Sequence, residues 1–176
     1  NYGVLVVAGG VITNAGTGAA ATVTVVGQGG NSPGAVGGNY GIYLDGLNTQ
    51  ITSSGGAVSV TGIGNQNSEA IRIQSNAGIT SDSNADITVI ADGINLIAPG
   101  LINSGTGSTT IRPRTTSTRI NLGGADVLSG SPLTLGLTDA ELDQVIAGTL
   151  ILGDATAGNL TVSAAISRPA TTNVTL

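Results

Sequence analysis

The chain has no cysteine, histidine, methionine, tryptophan or phenylalanine, and all five of its basic residues are arginines. Without cysteine and histidine it has no disulfides, no thiolate or imidazole metal ligands and none of the usual catalytic triads. Its formal net charge of −5 argues against a nucleic-acid partner, because little positive charge is present to neutralise phosphates. It also lacks a run of about 18 apolar residues, so no membrane-spanning segment is predicted.

Small and aliphatic residues dominate what is present. The 176 residues include 29 glycines, and 40% of the chain is hydrophobic although only 2% is aromatic. That aliphatic content is too high for a disordered chain, and glycine does not recur at every third position as collagen requires. A chain rich in β-branched residues, threonine and glycine predicts an all-β fold of many short strands joined by tight turns.

Short apolar segments recur along the chain in a fixed pattern. In each segment the second and fourth residues are aliphatic, which is the period of two of a strand that buries one face. The residue between them varies freely and is expected to point outwards; in order it is Leu5, Tyr43, Arg72 and Asn95. The segments of this first series are GVLVV at 3–7, GIYLD at 41–45, AIRIQ at 70–74 and GINLI at 93–97.

Two further series follow the first in the same order within each unit. Repeats of about 20 to 50 residues are typical of stacked-repeat architectures. Three short strands per unit predict a coil whose strands pair in parallel with those of the next coil, giving a β-solenoid with a narrow aliphatic core. The second series is VITN at 11–14, QITS at 50–53, GITS at 78–81 and LINS at 101–104, and the third is TVTVV at 22–26, VSVTG at 58–62, ITVIA at 87–91 and TTIRP at 109–113.

The last third of the chain keeps the pattern less cleanly. RINLG at 119–123, TLILG at 149–153 and NVTL at 173–176 are interpreted as further strands of the first type. The sequence thus predicts about seven irregular coils, with three short strands per coil. They form a single continuous β-solenoid segment over residues 1–176, regular over 1–114 and less regular over 115–176. Extra residues such as 27–38 are expected to form a loop at one corner, since lengthening a surface loop costs little.

One segment breaks the strand pattern. LTDAELDQVIAG at 137–148 predicts a short helix near 138–147. Thr138 and Glu141 have the spacing of a capping box, and Gly148 follows as a stop signal. We expect this helix to lie against one side of the solenoid in place of a strand, with Leu142, Val145 and Ile146 as its apolar stripe.

Carboxylates are the remaining source of catalytic chemistry. A glycosidase needs two of them about 5 to 9 Å apart. Asp45, Asp82, Asp86 and Asp92 fall at unmatched positions on neighbouring coils, so no such pair is apparent. We therefore predict a protein that is not an enzyme and has no cofactor, with a carbohydrate-binding or polysaccharide-cleaving β-helix protein as the alternative.

A second candidate site is a polar turn. Asp82, Asn84 and Asp86 have the D-x-N-x-D start of a calcium loop. The later positions disagree, because Ile87 and Gly93 stand where such a loop needs glycine and glutamate. We interpret the segment as a polar turn without a metal, and weak calcium binding is the alternative hypothesis.

The arginines and tyrosines offer surface contacts. Arg112, Arg114 and Arg119 are expected to pair with Asp126, Asp139 or Asp143, or with carbonyl groups near the helix. Tyr2 and Tyr40 occupy equivalent corners one coil apart and are expected to stack. The alternative for these groups is contact with a glycan, for which the surface candidates are Tyr43, Arg72, Arg112 and Arg114.

Residues 110–170 contain, in order, a TIRPRT stretch, an INLG strand, an LTDAELD helix and a TL-x-x-GD strand. With this series they resemble the repeat modules of very large bacterial surface proteins of the filamentous haemagglutinin type, in which the same elements follow one another. The NYG-initiated coils upstream resemble the degenerate repeats of the same proteins. The resemblance implies a right-handed parallel β-helix, secretion to the bacterial surface and a role as a long adhesive or scaffolding fibre, and it carries over no catalytic residue.

Taken together, these patterns predict a non-catalytic, extracellular fibre or adhesin stalk segment. The chain is expected to be a portion of a longer polypeptide. Its expected partners are copies of itself or adjoining coils of a longer chain, which would stack end to end because a solenoid end exposes unpaired strand edges. Cell-surface glycans are the other expected partner.

Overall fold

A computed structural model describes residues 1–31, 38–65, 67–168 and 172–176. Strands make up 43% of the described residues and helix 2%, so the predicted all-β fold is confirmed. The strands, in chain order, are β1 (Val4–Val7), β2 (Val11–Asn14), β3 (Val23–Gln28), β4 (Ile42–Asp45), β5 (Gln50–Ser53), β6 (Val58–Ile63), β7 (Ile71–Gln74), β8 (Gly78–Ser81), β9 (Ile87–Ile90), β10 (Ile94–Leu96), β11 (Leu101–Asn103), β12 (Ser108–Arg112), β13 (Arg119–Leu122), β14 (Thr134–Leu137), β15 (Val145–Ile146), β16 (Thr149–Leu152), β17 (Leu160–Val162) and β18 (Asn173–Thr175), and a helix, α1 (Asp139–Leu142), lies between β14 and β15.

Three parallel sheets each take one strand from successive coils, an arrangement consistent with a β-solenoid. The first sheet has the order β1-β4-β7-β10, the second β2-β5-β8-β11-β15 and the third β3-β6-β9-β12-β16-β18. Their registers reproduce the alignment of the sequence repeats: Val4 pairs with Ile42, Ile42 with Ile71, and Ile71 with Ile94. The three predicted series of strands are therefore confirmed, and each series forms one sheet.

The core is the stack of aliphatic side chains enclosed by these sheets. In the second sheet Ile51, Ile79 and Ile102 lie directly above one another and are fully buried. Ile12, in the outermost strand β2, is only half-buried, because among the described residues it has a neighbouring coil on one side alone. Burial thus depends on having a coil on each side, as expected for a stacked repeat.

The corner before each strand of the first sheet needs a small residue. A Cβ atom placed on Gly41 would lie 2.3 Å from the backbone nitrogen of Ile63 and 2.6 Å from the carbonyl oxygen of Gly27. Both are backbone atoms, which cannot move aside as the end of a flexible side chain could. The predicted tight corner is confirmed. Residues 32–37 of the predicted 27–38 loop lie outside the described residues, and 27–28 belong to β3.

The regular order ends after β12. β13 and β17 form a fourth parallel sheet with β14, in the order β14-β13-β17. β14 packs next to β10, so this later strand enters between β10 and the earlier β13. The chain reaches it through an antiparallel bridge in which Val127 and Thr134 exchange backbone hydrogen bonds of 2.8 and 3.1 Å.

None of the three later segments predicted as first-type strands pairs within the first sheet. β13 belongs to the fourth sheet. β16 and β18, predicted as first-type strands, both belong to the third sheet, where Leu150 pairs with Thr109 and Val174 with Leu150. The insertion of β14 and the helix displaces the order of strand types along the chain. In the part of the chain described the longest sheet has six strands, and the first and fourth sheets together have seven, compared with the prediction of about seven coils.

The predicted helix is present but shorter than 138–147. Thr138 caps α1 and forms the predicted capping box with Glu141. The prediction is wrong for Val145 and Ile146, which form β15 and pair with Ile102 and Asn103 of the second sheet. Both side chains are β-branched and suit a strand, and the pairing supplies the next rung of that sheet. The helix therefore precedes a strand and does not replace one.

No helix within the described ranges combines the length and apolar character needed to cross a membrane.

Candidate functional site

All three tyrosines of the chain gather on the outer face of the first sheet. The register of β1 and β4 places Tyr2 beside Tyr40, and their ring centroids are 6.0 Å apart with planes inclined by 11°. The predicted stack is thus confirmed. Tyr43 joins it, with centroids 5.1 Å from Tyr2 and 5.5 Å from Tyr40. Ring pairs at such distances contribute about 0.5–1.5 kcal/mol each beyond burial.

Arg72 extends this aromatic cluster by one coil. Its guanidinium carbon lies 5.5 Å from the Tyr40 ring centroid, within the range of a cation–π contact. Its Nη1 donates a 3.0 Å hydrogen bond to the Tyr40 hydroxyl, and its Nε donates one of 3.0 Å to Gln74. The guanidinium is therefore held against the cluster. We call Tyr2, Tyr40, Tyr43 and Arg72 the tyrosine surface.

The tyrosine surface is partly desolvated. Tyr2 remains 45% exposed, whereas Tyr40, Tyr43 and Arg72 are half-buried. Burial and the neighbouring Asp45 carboxylate raise the pKa of Tyr43, and the Tyr43 hydroxyl donates a 3.3 Å hydrogen bond to Asp45. The phenol is therefore neutral at physiological pH, and its single O–H is engaged by Asp45.

A cavity of about 400 Å³ opens where β10 meets β14. Three carboxyl groups line it, those of Glu69, Asp126 and Glu141, together with Asn95. The Asn95 side-chain amide donates a 3.3 Å hydrogen bond to Glu69. Since Asn95 pairs in register with Arg72, the cavity continues the row of outward side chains that includes the tyrosine surface. We call it the acidic cavity.

Asp126 is the most perturbed acid of this cavity. Burial raises the pKa of its carboxyl to about 8, and the carboxylates of Glu141 and Glu69 push it in the same direction. Backbone N–H groups of Gly136 and Ile94 oppose the shift by donating to it, the former at 2.7 Å. Desolvation wins because no cation lines the cavity among the described residues. The pKa of Asp126 is accordingly well above that of an ordinary aspartate.

The arginine candidates are divided between different places. Tyr43 and Arg72 are in-register neighbours, but Arg112 lies on the third sheet and forms a 3.1 Å ion pair with Asp154. The predicted acidic partners of Arg112 are therefore wrong, because β16 brings Asp154 into the coil beside it. Arg114 lines a separate cavity of about 260 Å³. Hydrogen bonds to carbonyl groups near the helix come from Arg168, which was not among the predicted arginines. It donates to the carbonyl groups of Leu142 and Val145.

The predicted calcium candidates connect one coil to the next. Asn84 accepts a 3.1 Å hydrogen bond from the backbone of Thr106, and Asp86 accepts one of 2.9 Å from Ser108. The side chain of Asp82 is exposed. Within the described ranges no three histidine, cysteine or acidic side chains gather as a metal site. The hydrogen bonds of Asn84 and Asp86 to the next coil fit the polar-turn interpretation.

The sequence pattern did not identify the acidic cavity, nor the role of the Asp92 side chain in joining two coils. Asp92 accepts backbone hydrogen bonds from Arg114 and Thr115 at 2.9 and 2.7 Å, repeating the role of Asn84 and Asp86 at another corner. The common spacing of 22 residues between acceptor and donor is a signal that the sequence carries. Nothing in the sequence pattern indicates that Asp126 meets Glu69, because that meeting depends on the insertion of β14.

Comparison of the chain with protein-family models, with curated proteins and with solved structures finds no match in any of the three.

Proposed function

We propose that the chain is a segment of a right-handed parallel β-helix that builds a stiff rod or filament at the surface of a bacterium. The observation that carries the proposal is the constant register of the three sheets. Equivalent residues pair directly from coil to coil without a slip in the first three coils. Parallel strands of one sheet joined by a crossover are right-handed in about 98% of cases, which supports the handedness.

The outer edges of β1, β2 and β3 support continuation of the rod. These strands end their sheets, and an edge of this kind is a template for another strand. Apolar side chains remain exposed along them: Leu5 is 48%, Val11 50% and Val26 61% exposed. A further parallel coil, from a longer chain or from a second copy, would pair with the edge and cover these side chains.

End-to-end stacking is tested by imaging and sedimentation at rising protein concentration. We expect filaments longer than one solenoid for the wild-type chain. The double variant Leu5→Lys and Val26→Lys should remain monomeric, because lysine on an edge opposes strand pairing. Thr88→Lys, in the middle of the third sheet, is the matched control and should still form filaments. A wild-type chain that stays strictly monomeric at high concentration contradicts stacking. Immunogold labelling of producing cells tests the extracellular location.

The tyrosine surface favours a second function, contact with a cell-surface glycan. Aromatic faces and fixed planar donors are suited to sugars, and the net charge of −5 favours neutral over acidic glycans. Binding without cleavage is the better proposal, because Glu141 and Asp126 already accept backbone hydrogen bonds. In calorimetric titration with neutral oligosaccharides, Tyr43→Ala and Arg72→Gln should weaken binding, whereas Arg112→Gln should leave it unchanged. If all three variants changed the affinity for the oligosaccharides equally, the tyrosine surface would not be the binding site.

A further inference from the structure

The first and fourth sheets meet at a seam without a regular ladder. β10 ends the first sheet and β14 begins the fourth, and the two strands pack side by side. Elsewhere in the stack neighbouring strands are joined by backbone hydrogen bonds in register. We call the contact between β10 and β14 the seam. Something other than a ladder must satisfy the backbone N–H groups of β10 that face it.

Carboxyl groups fill that role. The backbone N–H of Leu96 donates to Glu141 at 3.4 Å, and that of Ile94 donates to Asp126. Asp126 also accepts the 2.7 Å hydrogen bond from Gly136 in β14, so its carboxyl bridges both sides of the seam. Glu141 is held in place by 2.9 and 2.7 Å hydrogen bonds from the amide and hydroxyl of Thr138.

These acceptors bring like charges together. Glu69, Asp126 and Glu141 line one cavity, and no arginine lines it in the part of the chain described. β10 and β14 themselves contribute no titratable side chain. Three arginines lie on the surrounding elements. The guanidinium of Arg72 is engaged by Tyr40 and Gln74, Arg119 is at the exposed start of β13, and Arg168 donates to the carbonyl groups of Leu142 and Val145. The acidic groups there are Asp139 in α1 and Asp143 after it. Three ionised carboxylates in this cavity would repel one another.

We propose that the seam is a protonation-controlled joint, which closes when Asp126 takes up a proton and opens when that proton is released. In the closed joint one neutral carboxyl bridges β10 and β14 beside the two other acids. In the open joint Asp126 is in contact with water and ionises. The backbone ladders between the other strands contain no titratable group and therefore do not share this dependence.

The direction of the pH effect follows from the two states of Asp126. In the closed joint its pKa is about 8, whereas a carboxyl in water titrates near about 4. The closed state therefore binds a proton that the open state lacks between about pH 4 and pH 8. Acid locks the joint. Opening becomes about tenfold more favourable with each rise of one pH unit across this interval and levels off above about pH 8.

Amide hydrogen exchange between pH 5 and pH 9, corrected for the intrinsic rate at each pH, tests the proposal. The amides of Leu96 and Gly136 should lose protection about tenfold per pH unit up to about pH 8, while that of Ile79 should not. Asp126→Asn keeps the shape and an acceptor oxygen but cannot ionise, so its seam amides should show no such slope. Asp82→Asn is the matched control at an exposed acid and should behave as the wild type does.

Carbon-13 titration of the wild-type carboxyl groups provides a readout that needs no variant. We expect the Asp126 carboxyl to titrate well above the other aspartates. A normal titration near pH 4, a seam whose protection is flat with pH, or a slope that persists in Asp126→Asn would each overturn the proposal.

Discussion

Replacing Ile79 by alanine tests whether the stability of this chain is a sum over neighbouring coils. Ile79 is fully buried and is paired in register with Ile51 on one side and Ile102 on the other. The substitution removes three methyl or methylene groups from this position. At about 0.8 kcal/mol each, their transfer to water accounts for about 2.4 kcal/mol. A residual cavity raises the expected loss in the free energy of unfolding to about 3 to 4 kcal/mol.

Ile12→Ala is the matched comparison in the same sheet. Ile12 has the same side chain and is in register with Ile51, but it is half-buried in the outermost strand. Fewer of its carbon atoms leave water on folding, and the site can relax towards solvent. We therefore expect a loss of about 1 to 2 kcal/mol.

Urea unfolding followed by circular dichroism gives the two free energies, and hydrogen exchange shows where protection is lost. In Ile79→Ala, the amides of β5, β8 and β11 should lose the most protection, because neighbouring coils share the interface that the substitution damages. The reasoning would be refuted if Ile12→Ala cost as much as Ile79→Ala. Uniform loss of protection from β2 to β15 would refute it equally.

Three further substitutions test the corners and the helix. Asp92→Ala removes the acceptor for two backbone N–H groups of the next coil. In urea unfolding it should lower the free energy of unfolding by about 2 kcal/mol. Asp82→Ala, at an exposed turn, is its control and should lower it by less than about 0.5 kcal/mol. Gly41→Ala should lower the free energy of unfolding by about 1 to 3 kcal/mol in thermal melting, because the added Cβ meets backbone atoms. Gly18→Ala is its control and should leave that free energy unchanged, because no atom lies within 4 Å of the added Cβ. Thr138→Ala should cost about 1 kcal/mol, and hydrogen exchange should show the loss confined to α1 and the seam.

The regular coils could be predicted from the sequence because their information is local. A period of two in β4 or β7 identifies the buried face directly. Recurrence of the same small-apolar-x-apolar pattern then fixes the register, since a slip by one residue would turn every aliphatic side chain outwards. The stack of Tyr2 on Tyr40 follows from the same register. No long-range information beyond the repeat itself is needed for these features.

The last third could not be predicted in this way because its arrangement depends on long-range order. The apolar pattern of β16 suits the first sheet as well as the third, so the pattern alone cannot assign it. Val145 and Ile146 continue the helical stripe of α1 in sequence, yet a rung of the second sheet was available to them and pairing with β11 prevailed. The contents of the acidic cavity were hidden for the same reason, since Asp126 reaches Glu69 only after β14 enters beside β10.

The strand order departs from regular stacking at the seam, and the acid with the most strongly raised pKa, Asp126, lies there too. One physical reason accounts for both. A ladder satisfies backbone N–H groups with carbonyl groups that carry no net charge, so it can be repeated from coil to coil without electrostatic cost. Where β14 enters without a ladder to β10, the N–H groups of Ile94 and Leu96 take carboxyl oxygens as acceptors. Three half-buried carboxylates with no cation beside them among the described residues repel one another when all are ionised, and the pKa of Asp126 is raised accordingly. The raised pKa of Asp126 is thus a consequence of the strand order, and the proposed pH response is located at the seam.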